Sequence, residues 1–124
     1  MQDRRLSGKR IVVVEDDSSV KGCVEAALSD AGAIIVVAFD RKIDAAVLDV
    51  RIGKGISSVP IAITLELRQV PFLFYTGYSG SVAGALQARW PQCKILSKPL
   101  SSEELVSEVA ALFTPQATRA RALV

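Results

Sequence analysis

The sequence predicts an α/β protein, a doubly wound parallel sheet of five strands in one domain. Three observations carry this. Short apolar runs rich in Val, Ile and Phe alternate along the chain with longer segments patterned as helices. The runs are apolar at consecutive positions, as in strands covered on both faces. Four of them end directly on polar residues: Glu15-Asp16-Asp17, Asp49, Thr76 and Lys98. In an open α/β sheet, ligands bind beyond the carboxyl ends of the strands, so these residues should gather on one rim.

The first strand is "RIVVV", residues 10–14, running into "EDD". Ser18 or Ser19 is placed to cap the next helix, where Val20, Cys23, Val24, Ala27 and Leu28 recur at spacings of three and four and Gly32 can end it. The second and third strands are expected at Ile34–Ala38 and Ala45–Asp49, followed by a loop, "VRIGKGISS". A helix over "SVPIAITLELRQ" tolerates Pro60 in its first turn. "PFLFY" is the fourth strand, and "GSVAGALQARW" a short helix stopped by Pro91, with Trp90 packing at its end. "CKILS" is the fifth strand. The last helix starts at Ser101 or Ser102, carries Glu103 and Glu104 at its positive end, and buries Leu105, Val106, Val109, Leu112 and Phe113.

The connection between strands two and three is too short for a crossover helix. Six residues, Phe39 to Asp44, span about 20 to 24 Å at full extension. They must return along roughly 17 Å of strand and move about 10 Å sideways. Three solutions stay open: an edge strand joined by a bare loop, an antiparallel strand, or a strand exchanged with a neighbouring chain. The first is preferred. Loss of the helix would uncover apolar surface on one flank, inviting a partner or a dimer contact.

A chain of 124 residues fits one domain with its own core. The expected core is about 9–113, and 114–124 reads as a flexible tail. A net charge of +2 with no basic stripe argues against nucleic-acid binding. No apolar run is long enough for a signal peptide or a membrane span, so a cytoplasmic protein is expected. With no histidine and two distant cysteines, the chain offers neither a Cys/His zinc site nor a His-based triad, and Cys23 and Cys93 read as core or semi-buried residues. "GKG", residues 53–55, lacks the remainder of a phosphate-loop pattern.

Clustered carboxylates suit Mg²⁺, which takes one or two of them and favours phosphate oxygens as further ligands. Beside it, Asp49 can act as a nucleophile toward phosphorus, with the Lys98 ammonium and Thr76 hydroxyl holding the other oxygens and Gly77 leaving room. The ordered set "VVVEDD", "AAVLDV", "FLFYTGY" and "ILSKPL" resembles the receiver domain of bacterial two-component response regulators, from about Lys9 to Phe113.

The resemblance implies a flavodoxin-like fold with strand order 2-1-3-4-5, its helix between strands two and three here absent or reduced to a turn. It implies that Asp49 is the phosphoacceptor, Asp16 the direct Mg²⁺ ligand, Glu15 a ligand through water, and the Arg51 backbone carbonyl a further ligand. Thr76 becomes the switch hydroxyl, Lys98 the charged clamp, and Lys98-Pro99 a cis peptide. The implied function is a stand-alone receiver, not an enzyme on outside substrates. It takes its phosphoryl group from a histidine kinase or histidine phosphotransfer protein and signals by protein contact. A homodimer would use the face of helix four, strand five and helix five in the family's count. Ile95 stands where receivers commonly have an aromatic residue, which leaves aromatic rotation without its ring. Arg51 and Tyr78 stand where residues flank the phosphoryl site.

Two alternatives compete. A non-phosphorylated pseudo-receiver would keep the fold as a docking module. A small aspartyl-phosphate phosphatase resembling the haloacid dehalogenases would carry Asp-x-Asp at its nucleophile, whereas Arg51 stands at the second position.

Overall fold

A computed structural model of the chain describes residues 4–37, 42–53, 56–77 and 81–114. Its elements in order are β1 (Arg10–Val14), α1 (Ser18–Asp30), β2 (Ile34–Val36), β3 (Ala45–Leu48), β4 (Arg51–Gly53), β5 (Ile56–Ser57), α2 (Val59–Leu67), β6 (Phe72–Thr76), α3 (Ser81–Arg89), β7 (Ile95–Ser97) and α4 (Ser102–Ala111). The main sheet has five strands in the order β2-β1-β3-β6-β7, all parallel. Setting aside the small β4-β5 pair, this is the expected order 2-1-3-4-5.

Each face of the sheet carries its own core. On one, Ile11, Val13, Val47, Leu73 and Tyr75 meet Val24 and Leu28 of α1 and Leu105, Val106 and Val109 of α4. On the other, Val12, Ala46, Leu48, Phe72 and Phe74 meet Ala62 and Leu65 of α2, Leu86 of α3 and Trp90. Phe72 and Trp90 stack edge to face with ring centroids 5.7 Å apart, so Trp90 is a packing residue as its sequence position suggested. Burying a side chain such as Phe74 contributes about 1.5 to 3 kcal/mol.

The short connection is resolved by the register. β2 stops at Val36 instead of Ala38 and lies parallel at the sheet edge, paired with β1 alone, from Ile34 opposite Arg10 to Val36 opposite Val12. Because Val36 pairs with Val12 and Ala45 with Ile11, the chain leaves β2 and enters β3 one register step apart. The return along the strands is therefore about 3.3 Å rather than a whole strand, with about 10 Å sideways. Shortening β2 also lengthens the connection to residues 37–44, and among its described residues there is no helix.

In place of the helix, Ile43 inserts into the second core at 6% exposure, while Arg10 donates from its backbone N–H to Asp44 Oδ2 and from Nε to the Lys42 carbonyl. Cover is incomplete, as expected: Ile34 is 46% and Val37 90% exposed.

Several local expectations need correction. The helix cap of α1 is Asp17, whose Oδ1 accepts from the Ser19 and Val20 backbone N–H groups; an acceptor one residue earlier reaches the second and third helical amides directly. Cys23 is exposed, because the buried stripe of α1 runs through Val24, Ala27 and Leu28. Cys93 is half-buried. "VRIGKGISS" is not wholly a loop, since β4 and β5 pair antiparallel within it.

Gly32 ends α1 with φ +98°, and an added Cβ would meet the Ser7 Cα at 2.8 Å. Ser101 caps α4 with a full capping box to Glu104. The expected tail from 115 onward, Tyr78, and Lys54 and Gly55 of "GKG" lie outside the described residues.

Candidate functional site

The rim at the carboxyl ends of β1, β3, β6 and β7 gathers the residues that the sequence places there. β1 delivers Glu15 and Asp16, β3 delivers Asp49, β6 ends on Thr76 and β7 leads into Lys98. The strand ends are tied together by backbone bonds: Asp49 N–H donates to the Val14 carbonyl at 2.9 Å, and Lys98 N–H to the Thr76 carbonyl at 2.9 Å.

Glu15, Asp16 and Asp49 bring one carboxylate oxygen each within 4.8 Å of one another. Lys98 Nζ donates to Glu15 Oε1 and, at 3.1 Å, to Asp49 Oδ2. The second Glu15 oxygen accepts from the Asp17 backbone N–H at 3.2 Å, which fixes the carboxylate plane. Side chains here are largely withdrawn from water, with 5% exposure for Glu15, 10% for Asp49 and 21% for Lys98. Thr76 is fully buried.

Burial pushes the Glu15 carboxyl up from its usual range, and its bond from Lys98 only partly opposes this. For Lys98, burial works against the ammonium, but the bonds to Glu15 and Asp49 outweigh it and the group is held above its ordinary value. The lysine thus stays charged throughout the neutral range.

Asp49 Oδ1 is buried and has no hydrogen-bond partner among the described residues. A buried carboxylate oxygen left without a donor is costly. With Glu15 and Asp16 beside it, Asp49 completes a set of three carboxylates, the hard oxygen donors that a divalent cation such as Mg²⁺ takes, so the residues present fit the ion.

Of the residues singled out from sequence, Glu15, Asp16, Asp49 and Lys98 come together, and Thr76 joins them through the backbone. Arg51 opens β4 two residues past Asp49 and pairs there with Ser57. Gly77 is exposed, and a Cβ on it would meet nothing within 4 Å, so space is open beside Thr76. Lys98-Pro99 is cis.

Comparison with solved structures places the fold. A two-component response regulator from Clostridium difficile superposes with a TM-score of 0.74 at 17% identity, over 87% of this chain and 98% of that one. A CheY-like receiver domain protein from Methanospirillum hungatei gives 0.73 at 17% identity, over 85% and 93%. The fold is that of a response-regulator receiver domain.

A response regulator from Burkholderia pseudomallei, described as holding a phosphorylated aspartic acid, a calcium ion and citrate, matches this chain with a TM-score of 0.67 at 23% identity, over 92% and 71% of the two chains. No protein-family model matches the sequence. No curated protein matches it significantly. No helix among the described residues is long and apolar enough to cross a membrane.

Sequence reasoning did not find two features of the rim. One is the β4-β5 ribbon directly after Asp49. The other is the Tyr75 hydroxyl, which accepts from the Leu100 N–H just beyond Lys98.

Proposed function

We propose that this receiver accepts a phosphoryl group on Asp49, in a Mg²⁺-dependent reaction, from a histidine kinase or a histidine phosphotransfer protein, and signals by protein contact. The observation that carries the reading is the Asp49 carboxylate itself. One of its oxygens is buried without a partner, and it sits among Glu15, Asp16 and Lys98.

Glu15, Asp16 and Asp49 would hold the ion, with the Arg51 carbonyl as a further ligand. When bound, Mg²⁺ supplies positive charge beside the oxygens of the transferring group. An Asp49 oxygen forms the new bond to phosphorus as the bond from phosphorus to the donor's imidazole nitrogen breaks, and that nitrogen keeps the electron pair. Lys98 exchanges its carboxylate partners for a phosphoryl oxygen, and the Thr76 hydroxyl donates to another. No substrate is turned over beyond the receiver's own acyl phosphate, so the protein works as a regulatory acceptor rather than as an enzyme. Self-association, where it occurs, would use the face of α3, β7 and α4.

Treatment with acetyl phosphate and Mg²⁺, followed by hydroxylamine, tests the chemistry. An acyl phosphate on Asp49 is released by hydroxylamine. A label that survives it would sit on a hydroxyl such as Thr76 and would overturn the assignment.

A further inference from the structure

The segment that carries Lys98 is tied to β6 on both sides of the lysine. Before it, Lys98 N–H donates to the Thr76 carbonyl at 2.9 Å. After it, Pro99 has no N–H, so Leu100 offers the next backbone donor. That donor goes to the Tyr75 hydroxyl at 2.9 Å. The Tyr75 ring is buried, 7% exposed, in the core shared with Leu105 and Val106 of α4, and Lys98 Nζ stands 5.8 Å from its centroid. One side chain therefore meets the lysine segment twice, through its hydroxyl at the backbone and through its ring face at the ammonium. An aliphatic residue at this position would fill the same core but could do neither.

We propose that Tyr75 is a positioning residue for Lys98: its hydroxyl anchors the Lys98–Leu100 segment so that the ammonium faces the Asp49 carboxylate. The inference rests on Asp49 being the phosphoacceptor. It adds a second link between β6 and the start of α4, because Leu100 leads directly into the Ser101 cap.

Tyr75→Phe keeps the ring and removes only the hydroxyl. Losing one hydrogen bond of ordinary strength should slow phosphorylation of Asp49 by acetyl phosphate about fivefold. Mg²⁺ affinity should not change, since Tyr75 touches none of the carboxylates. Amide hydrogen exchange supplies a readout independent of phosphorylation. The Leu100 and Lys98 amides should exchange faster in the variant, while the Phe74 amide, bonded to the Lys94 carbonyl across the same strand pair, should keep its rate.

Equal acceleration at all three amides would mean general loosening and overturn a positioning role. So would an unchanged phosphorylation rate in a protein whose parent is phosphorylated. A parent that takes no phosphoryl group defeats the functional reading as well, which separates the two failures.

Discussion

Lys98 Nζ stands 3.1 Å from Asp49 Oδ2 and also donates to Glu15, so one cation occupies the charge-neutralising position between two nearly buried carboxylates. In this state the lysine does for the carboxylates what a divalent cation would share in doing. Its removal separates the two roles.

Lys98→Ala leaves Glu15 and Asp49 facing each other without their cation. Breaking a largely buried pair on one side should destabilise the metal-free protein by about 2 kcal/mol, read by urea denaturation. Added Mg²⁺ should narrow the gap between variant and parent, and Mg²⁺ affinity should not fall, while phosphorylation slows. A parallel loss of metal affinity would contradict the role assigned to Lys98.

Glu15 gives the pH dependence its sign. Burial raises its pKa, so it holds its proton to a higher pH than an ordinary carboxyl group. The raised value also means that in the metal-free protein Glu15 favours the folded state more at low pH, and that contribution is lost as pH rises through the folded pKa. Metal binding needs the carboxylate. Mg²⁺ affinity should therefore climb with pH through a range above 4.5 and then level off, as measured by titration at a series of pH values. Glu15→Gln should remove that part of the slope. A flat affinity down to 4.5 would show that Glu15 takes no part in binding.

Asp17 belongs to the acidic run but serves the helix. Its Oδ1 caps α1, so Asp17→Ala should cost about 1 kcal/mol in denaturation, with Asp17→Ser recovering most of it. Mg²⁺ affinity should stay near that of the parent. A large drop in affinity with unchanged stability would make Asp17 a ligand rather than a cap.

The strand-end residues were legible because each follows an apolar run whose burial on both faces fixes where the strand stops. Glu15, Asp49, Thr76 and Lys98 fall on the rim for that reason alone. Boundaries were less legible. The apolar pattern of β2 continues through Val37, which is 90% exposed, so hydrophobicity outruns pairing there and hid the register that makes the short connection feasible.

Asp17, Ser18 and Ser19 are all good caps in a row, and composition does not choose among them. Cys23 shares helical spacing with the buried residues yet points outward, since spacing gives a stripe but not its edge. Strands of three and two residues, β4 and β5, are shorter than any period-two signal, and the two glycines of "GKG" make the stretch read as loop. The Tyr75 to Leu100 bond joins residues 25 positions apart, and no local pattern announces it.

The central claim is phosphorylation of Asp49, and intact mass is its most direct measure. The parent protein and Asp49→Asn are each incubated with acetyl phosphate, with Mg²⁺ and with Mg²⁺ chelated, beside a receiver known to react. The account predicts a gain of one phosphoryl group in the parent with Mg²⁺, and none on chelation or in Asp49→Asn. No gain in the parent while the control reacts, or an equal gain in Asp49→Asn, would contradict it.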